Sequence, residues 1–306
     1  MLDDKVQKAL KELKEDTASG AQELFLKAID IIKNQMLLVS DENKDIKPLF
    51  FELASEIIHA RPSMAPLINS IGYIINNLKT YTRRNIIDKI LNLVKFNAER
   101  RNKLMESFVY FFNSYYKRDI KIMLLSYSSS IINTLVYLKD YNSILYILES
   151  RPLCEGHRTA EILSQYFETY LIIDAAMGKY IDKIDLVLIG IDSILEDGSI
   201  INKIGTYPLA VVAKDNDIPV YGIADSFKYN LRSHFNQKVE IGKKPSKEVY
   251  DKKIRSNLLH VHNTYFDITP PKYIKGIISD LGVLSPEEFV EKAKSVLPVD
   301  WFQDYI

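Results

Sequence analysis

Cysteine is almost absent from this chain of 306 residues, because Cys154 is the only one. A single cysteine excludes a disulfide within the chain and any metal site built from several thiolates, and it fits a reducing compartment. An excess of charge is also missing, since 40 Lys and Arg residues balance 40 Asp and Glu residues. No net field therefore favours nucleic acid or an anionic membrane, so any anion site has to be a local pocket.

Long apolar runs are missing as well. No segment approaches about 18 uninterrupted apolar residues, and Met1–Lys5 lacks the apolar stretch of a signal peptide. We therefore expect a cytoplasmic protein that neither leaves the cell nor spans a membrane. A Walker loop, a G-x-G-x-x-G motif and a G-x-S-x-G motif are absent too, which leaves nucleotide hydrolysis, dinucleotide redox chemistry and serine-hydrolase chemistry without support.

The first third of the sequence has the pattern of a helical domain. The length and the 47% hydrophobic content allow two domains, each with a core. From Ala21 onward, apolar residues recur at three- and four-residue steps, as on one face of an amphipathic helix. The same spacing predicts helices over Leu49–Ile58, Met64–Leu78 and Ile86–Tyr110, with Pro48, Pro62 and Pro66 at their starts or breaks. We assign residues 1–117 to a helical N-terminal domain.

Near residue 118 the pattern changes to short apolar runs, each followed by a polar turn and a helical pattern. These runs are Ile122–Leu125, Ile144–Leu148, Leu171–Ile173, Leu186–Ile189 and Val220–Ile223. Their length and lack of alternation predict central strands of a parallel sheet that is covered on both faces. Residues 118–306 are therefore expected to form a Rossmann-like domain, which makes the fold class α/β. Lys238–Asp251 is interpreted as a solvated polar connection.

In an open parallel sheet, ligands bind beyond the carboxyl ends of the strands. The first run is followed by Ser126–Ser130, whose hydroxyls either cap the next helix or help its free N–H groups to hold a phosphate. The second run is followed by Arg151, which could bind phosphate or carboxylate through paired hydrogen bonds. A surface ion pair of Arg151 with Glu149 or Glu155 is the simpler interpretation.

Three further strand ends carry polar groups. Asp174 follows the third run and is expected to cap a helix. Asp192 follows the fourth run, where partial burial could raise its pKa toward general acid–base use, although an aspartate in this position commonly caps a turn. Just beyond it, Asn202–Thr206 combines an amide, a cation and a glycine at a predicted helix start, which suggests an anion cradle. The fifth end carries Asp225–Lys228, which is less specific.

Two histidines two residues apart, His260 and His262, would share one face of a strand and could bind a metal. No third ligand lies in an evident motif, so we interpret them as partly buried or surface histidines. We expect neither a metal nor a cofactor.

The segments after the fourth strand closely resemble a family signature, that of the alpha, beta and delta subunits of translation initiation factor 2B and the related sugar-phosphate isomerases. The resemblance extends over most of the chain and rests on Ser19–Leu26, Arg61–Pro66, Glu149–Pro152, Asp185–Ile194, Gly198–Tyr207, Phe266–Pro271, Tyr273–Ile274 and Ser279–Gly282.

This family holds two functional classes, regulatory subunits and isomerases of ribose 1,5-bisphosphate or 5-methylthioribose 1-phosphate. The isomerases place a catalytic cysteine at the end of the first strand, where alignment through Tyr127 and Ser128 puts Ser126. A serine hydroxyl cannot supply the same proton transfer, because its pKa lies far above the roughly 8.5 of a thiol. The isomerases also tend to carry an arginine at the position of Ser19, and Ser19–Leu26 instead resembles the alpha regulatory subunit.

The resemblance therefore implies a non-catalytic, alpha-subunit-like protein that binds initiation factor 2 and forms a homodimer or a higher family assembly. Such a protein would not exchange GDP unaided. The resemblance further implies a pocket for a phosphorylated sugar or nucleotide, with ligand-binding positions at Ser126, Ser128, Arg151, Asp192, Asn202 and Lys203. The alternative is an aldose–ketose isomerase with Asp192 as the acid–base residue. Cys154 could replace the missing thiol, but we interpret it as structural or incidental.

Overall fold

The computed structural model describes residues 2–16, 19–62, 64–116, 119–239, 241, 244–253 and 256–303. Its front part is helical, as the sequence predicts, and comprises α1 Asp4–Glu15, α2 Ala21–Leu37, α3 Lys47–Ala60, α4 Ala65–Ile75 and α5 Arg83–Tyr115. Pro48 and Pro66 lie in the first turns of α3 and α4, where the missing N–H of proline is not needed. Among the described residues, no helix is both long enough and apolar enough to cross a bilayer.

The long helix α5 connects the two parts of the molecule. Thr82 caps its start, because the threonine side chain accepts a hydrogen bond from the N–H of Asn85. Its buried face repeats every three or four residues and includes two polar members, Asn97 and Arg100. These two side chains mark the level at which the helix borders a polar crevice.

The back part alternates strands and helices. Its strands are β1 Lys121–Leu125, β2 Ile144–Leu148, β3 Glu168–Ile172, β4 Leu186–Gly190, β5 Ser193–Ile194, β6 Ile200–Lys203, β7 Val220–Ile223, β8 Phe266–Thr269, β9 Gly276–Ser279 and β10 Gly282–Leu284. Its helices are α6 Ser129–Val136, α7 Glu155–Leu163, α8 Met177–Tyr180, α9 Thr206–Asp215, α10 Leu231–His234 and α11 Pro286–Val296.

The main sheet has the strand order β10-β9-β7-β4-β1-β2-β3. All neighbouring pairs are parallel except β9 and β10, which are antiparallel. The chain winds outward in one direction from β1 to β3 and then in the other direction from β4 to β9. The switch point therefore lies between β1 and β4, and ligands bind beyond such a point in doubly wound folds. The α/β fold class is confirmed.

Two predictions about strands are wrong, and one small sheet was not predicted. The third strand begins at Glu168 rather than Leu171, and it forms the exposed edge of the sheet, with Leu171 45% exposed, so it is not a strand covered on both faces. His260 and His262 lie exposed in irregular chain rather than in a strand. The small antiparallel sheet β5-β6-β8 was not predicted, because its short strands are interrupted by polar residues.

Side chains of the central strands alternate between two cores. Met123 and Leu125 of β1 face the core that contains the front helices, whereas Ile122 and Leu124 face a second core with α6 and the end of α5. This alternation follows from the two-residue repeat of a strand. The front helices share the first of these cores with α9 and α11 of the back part, and α9 contacts β4 and β7. The predicted domain boundary at residue 117 lies outside the described residues, and the division into two domains stays a prediction.

Asn69 of α4 fastens the helical part to the back part. Its side chain is 1% exposed, and its amide donates hydrogen bonds of 2.8 Å to the backbone carbonyls of both Phe227 and Tyr229. Because these carbonyls are buried at the junction, the amide replaces the water that they would otherwise bind.

We expect Asn69→Ala to lower the free energy of unfolding by about 2–4 kcal/mol, because it leaves two buried carbonyls without a donor. Urea unfolding followed by circular dichroism measures the change. Asn85→Ala is the matched control, since the side-chain hydrogen bonds of Asn85 to Thr80 are exposed, and it should change stability by less than about 0.5 kcal/mol. Equal losses in the two variants would contradict this role of Asn69.

Candidate functional site

A polar crevice lies beyond the switch point of the sheet, between the strand ends and the helical part. It consists of two adjoining cavities of about 80 Å³ and about 230 Å³. Both cavities are lined by Gly20, Ser126, Tyr127, Asp192 and Lys228. The crevice therefore has the location that the strand order predicts for a ligand site.

The loop after β1 forms one wall. Ser126 has a positive φ of 68°, and its N–H donates a 2.7 Å hydrogen bond to the hydroxyl of Ser150. Ser128 caps α6, because its hydroxyl accepts a hydrogen bond from the N–H of Ile131. A Cβ atom at Gly190 would lie 2.9 Å from Cβ of Ser128, so the end of β4 approaches this cap closely only because it is glycine. The capping interpretation of Ser126–Ser130 is confirmed, and phosphate binding by the same loop stays a prediction.

Asp192 follows β4 and lines both cavities. Its carboxylate lies 3.9 Å from the ammonium group of Lys228. The walls of the crevice bury the Asp192 side chain in part, and 45% of it is accessible to water. This burial raises the pKa of Asp192 above its ordinary value, and the nearby Lys228 and Lys203 only partly oppose the shift. A group of this kind can exchange protons closer to neutral pH than an exposed aspartate.

Asn202 and Lys203 end β6 beside the crevice, where both are at least 95% buried. The ammonium group of Lys203 binds the carboxylate of Glu155 at 2.7 Å. The amide of Asn202 donates a 2.9 Å hydrogen bond to the hydroxyl of Thr206. Lys203 and Glu155 line the larger cavity, and Asn202 lines the smaller one.

The expected anion cradle at the start of α9 is already occupied by a carboxylate of the chain itself. Asp267 of β8 accepts hydrogen bonds from the N–H groups of Gly205 and Tyr207, at 2.9 and 3.1 Å. Burial raises the pKa of Asp267 to about 6, and its backbone hydrogen bonds limit the shift. The helix start thus binds an anion that a neighbouring strand supplies, and ligand binding by Asn202 and Lys203 stays a prediction.

Arg100 of α5 is a crevice residue that the sequence did not reveal. It is 3% exposed, lies 2.5 Å from the carboxylate of Asp225, and donates a hydrogen bond to Asn97. Burial favours the neutral form of Asp225, but Arg100 and Lys228 outweigh this effect and hold the pKa of Asp225 below its ordinary value. The polar residues on an otherwise apolar helix face were the signal that could have identified Arg100.

Most described residues of the lysine-rich loop Lys238–Asp251 are exposed, as its interpretation as a solvated connection predicts, but one of its lysines contributes to the crevice. Lys244 lines the larger cavity, with its ammonium group 4.7 Å from the centre of the Tyr265 ring. Burial lowers the pKa of Lys244. Glu240, Gly242 and Lys243 of this loop lie outside the described residues, as does Ser63 in the segment Arg61–Pro66.

The residues predicted after β2 and β3 take other positions. Arg151 is exposed, is not among the described residues that line the two cavities, and donates to the carbonyl of Glu248 at 3.4 Å. It forms no ion pair with Glu149 or Glu155 within the described chain, and its binding role stays a prediction. Asp174 does not cap its own helical turn, since its carboxylate accepts hydrogen bonds from the N–H groups of Ser150 and Arg151. Cys154 precedes α7 and is likewise absent from the described cavity lining.

The structure thus brings Ser126, Ser128, Asp192, Asn202 and Lys203 together around one crevice. Sequence reasoning missed Arg100, Lys244 and Glu155 as parts of it. The assembled groups are hydroxyls, ammonium and guanidinium groups, the paired carboxylates of Asp225 and Glu155, and the Asp192 carboxylate of raised pKa, a set that suits a small, polar, anionic ligand.

Comparisons with known proteins identify one family. Residues 16–286 match the Initiation factor 2 subunit family. The chain is 26% identical to a ribose 1,5-bisphosphate isomerase of Methanocaldococcus jannaschii, over 93% of this chain and 92% of that one. It is 30% identical to a putative translation initiation factor eIF-2B subunit 2-like protein of Pyrococcus furiosus, over 94% and 98%. The solved translation initiation factor eIF-2B of Pyrococcus horikoshii superposes with a TM-score of 0.80 at 27% identity, over 94% and 100%.

The raised pKa of Asp267 predicts a pH-dependent stability. Because the native state holds this proton more tightly than the unfolded chain, the Asp267 contribution to the free energy of unfolding falls as pH rises from about 4 to about 6. Above that range the contribution stays constant. We expect the stability of the wild type relative to Asp267→Asn to fall across this window in urea unfolding. Asp182→Asn, at an exposed aspartate, is measured in parallel as the control for the loss of one carboxylate, and a constant difference between wild type and Asp267→Asn would refute the assignment.

Proposed function

Because this chain belongs to the Initiation factor 2 subunit family, we propose that it is a regulatory-subunit-like protein that binds a phosphorylated sugar or nucleotide without converting it. The observation that carries the proposal is the side chain at the end of β1. Ser126 and Asp192 line the same two cavities, and Ser126 stands at the position where the resemblance expects the catalytic thiol of an isomerase.

The charges of the crevice support an anionic ligand. Lys203, Lys228 and Lys244 line the larger cavity, and the hydroxyl of Ser128 and the start of α6 line the smaller one. Ammonium groups bind phosphate as point charges, and the N-terminus of a helix adds N–H donors of the same preference. A phosphorylated ligand with hydroxyl groups satisfies both kinds of partner.

Turnover requires more than binding. Aldose–ketose isomerisation moves a proton between neighbouring carbons or oxygens of the sugar, which needs groups that give and take protons near neutral pH. Ser126 does not meet this need, because a hydroxyl releases its proton far less readily than a thiol of pKa about 8.5. Cys154 does not replace it, since the described cavity lining does not include that residue.

An isomerase is the second candidate, and one observation favours it. Burial raises the pKa of Asp192, which is the property of a general acid or base. The similarity to a ribose 1,5-bisphosphate isomerase points to the same alternative. In that reaction Asp192 would transfer the proton, and the second proton-transfer group would have to differ from a thiol.

We further propose that the protein is cytoplasmic, contacts initiation factor 2, forms a homodimer through its back half and has no GDP-exchange activity alone. The edge strand β3 supports the dimer, because it exposes Tyr170 and Leu171 at 45% each. An exposed strand edge with apolar side chains is a surface that a second chain can cover.

The ligand proposal predicts binding without product. Ribose 1,5-bisphosphate and 5-methylthioribose 1-phosphate are each incubated with the protein, while NMR follows ketose formation and thermal unfolding follows binding. We expect a melting temperature that rises with the logarithm of ligand concentration, and no ketose. Lys228→Met should weaken binding by at least about tenfold, since it removes a crevice cation that its internal partner holds only loosely. The exposed Lys275→Met is the matched control.

The same experiment distinguishes the two functions. Ketose that forms in the wild type and disappears in Asp192→Asn would refute the regulatory proposal and establish an isomerase. If neither product nor a melting shift is observed with either compound, sugar-phosphate binding is refuted. Ser126→Cys adds a direct test of the proton-transfer argument, because it restores a thiol to the position that the resemblance marks as catalytic.

The assembly proposal predicts a sedimenting mass of twice the 35.3 kDa chain and a complex with purified initiation factor 2. We expect Leu171→Asp to give a monomer, because it places a charge in the apolar edge, whereas Leu91→Asp, on the front helix α5, should remain dimeric. Leu91 is the more exposed of the two, at 60%. A monomeric wild type, or dimers of both variants, would contradict the proposed interface, and absence of a complex would contradict contact with initiation factor 2.

A further inference from the structure

Three potential metal ligands converge outside the crevice, at the start of α7. The carboxylate of Glu149, the thiol of Cys154 and the imidazole of His157 offer ligand atoms that all lie within 4.8 Å of one another. They come from the loop after β2 and from the helix that follows it, since Glu149 follows β2, Cys154 directly precedes α7 and His157 lies in the first turn of α7. From this convergence we propose a Zn²⁺ site formed by Glu149, Cys154 and His157.

The local backbone holds these three residues together. The N–H of Gly156 donates to the carbonyl of Glu149 at 3.1 Å, and the N–H of His157 donates to the carbonyl of Cys154 at 3.0 Å. A Cβ atom at Gly156 would lie 1.9 Å from the carbonyl oxygen of Leu148, so glycine is required for α7 to begin this close to the end of β2. The ligand atoms are therefore brought together by main-chain bonds and not by side-chain rotamers alone.

The side chains have few competing partners. Within the described chain, neither the Glu149 carboxylate nor the His157 ring has a hydrogen bond or an ion pair, and the thiol of Cys154 has only a 4.0 Å contact to the carbonyl of Pro152. Glu149 and Cys154 are half-buried and His157 is exposed. Half-buried, unpaired polar groups that face one another are satisfied when a cation joins them.

The set of donor atoms favours zinc. One sulfur, one nitrogen and one oxygen form a mixed set that suits Zn²⁺, whereas Mg²⁺ and Ca²⁺ prefer oxygen ligands alone. Tetrahedral zinc bonds place ligand atoms roughly 3.5 Å apart, so side-chain rotation closes the remaining gap. Three protein ligands leave a fourth position for water. A thiolate and a carboxylate balance the charge of the ion.

Titration with Zn²⁺ alone, in a reductant without thiols, tests the site by calorimetry. We expect one ion per chain, with affinity that rises with pH because binding displaces the thiol proton. His157→Gln should weaken binding at least about tenfold, whereas His262→Gln, an exposed histidine elsewhere, should bind as the wild type does. Equal affinities of the wild type and His157→Gln would overturn the proposal, and so would no binding by the wild type.

Cobalt provides a second, spectroscopic test. Co²⁺ bound by a thiolate gives a charge-transfer band, and Cys154 is the only cysteine in the sequence, so the band reports this residue alone. We expect the band in the wild type and in His262→Gln, and its loss in Cys154→Ser. If the band is absent from the wild type, the thiol is not a ligand and the site is refuted. Circular dichroism of the metal-free variants shows whether each remains folded.

Discussion

The fold depends on one constraint, that the central strands of a parallel sheet must be buried on both faces. The side chains of β1, β2 and β4 alternate between two cores, and one of these cores is shared about equally by the front part and the back part. The front helices are continuous with this core, α9 of the back part contacts β4 and β7, and the end of α5 packs against β9 and β10 in the other core. The same packing places α2 and α5 at the carboxyl ends of the strands, where Phe25 and Arg100 complete the crevice wall.

The charged side chains of the crevice form ion pairs of different closeness. In a chain of zero net charge, a charged ligand therefore depends on the cation that its internal partner holds least closely. Arg100 lies 2.5 Å from Asp225, and Lys203 lies 2.7 Å from Glu155, so these cations are committed to internal partners. Lys228 is 3.9 Å from Asp192 and is bound less closely. Because separating a close buried pair is costly, an entering phosphate gains most from the loosest cation. The Asp192 and Lys228 side chains are thus the part of the crevice that a ligand can reorganise at least cost.

Sequence patterns predicted what depends on local periodicity and missed what depends on pairing across the chain. The strands from Ile122, Ile144, Leu186 and Val220 were predicted to within a residue, because each is a short apolar run. The edge position of β3 could not be predicted, since edge and centre depend on strand order. Asn202 and Asp192 were identified from their positions after strands. Asp267 fills the neighbouring helix start from β8, more than 50 residues away, a contact that no local pattern indicates.

The same distinction between local patterns and contacts across the fold explains why a metal site with mixed ligands was not predicted from the sequence. A single cysteine excludes several thiolates, but it does not exclude one thiolate joined by histidine and carboxylate. Cys154 and His157 are one helical turn apart, and Glu149 joins them only because Gly156 allows α7 to begin against β2. Glu155 lies between these ligands in the sequence and points the other way, to Lys203 in the crevice. The first turn of α7 therefore contributes to two sites, the metal ligands on its outer side and the ion pair of Glu155 with Lys203 in the crevice. A metal ion bound on the outer side also restrains this ion pair.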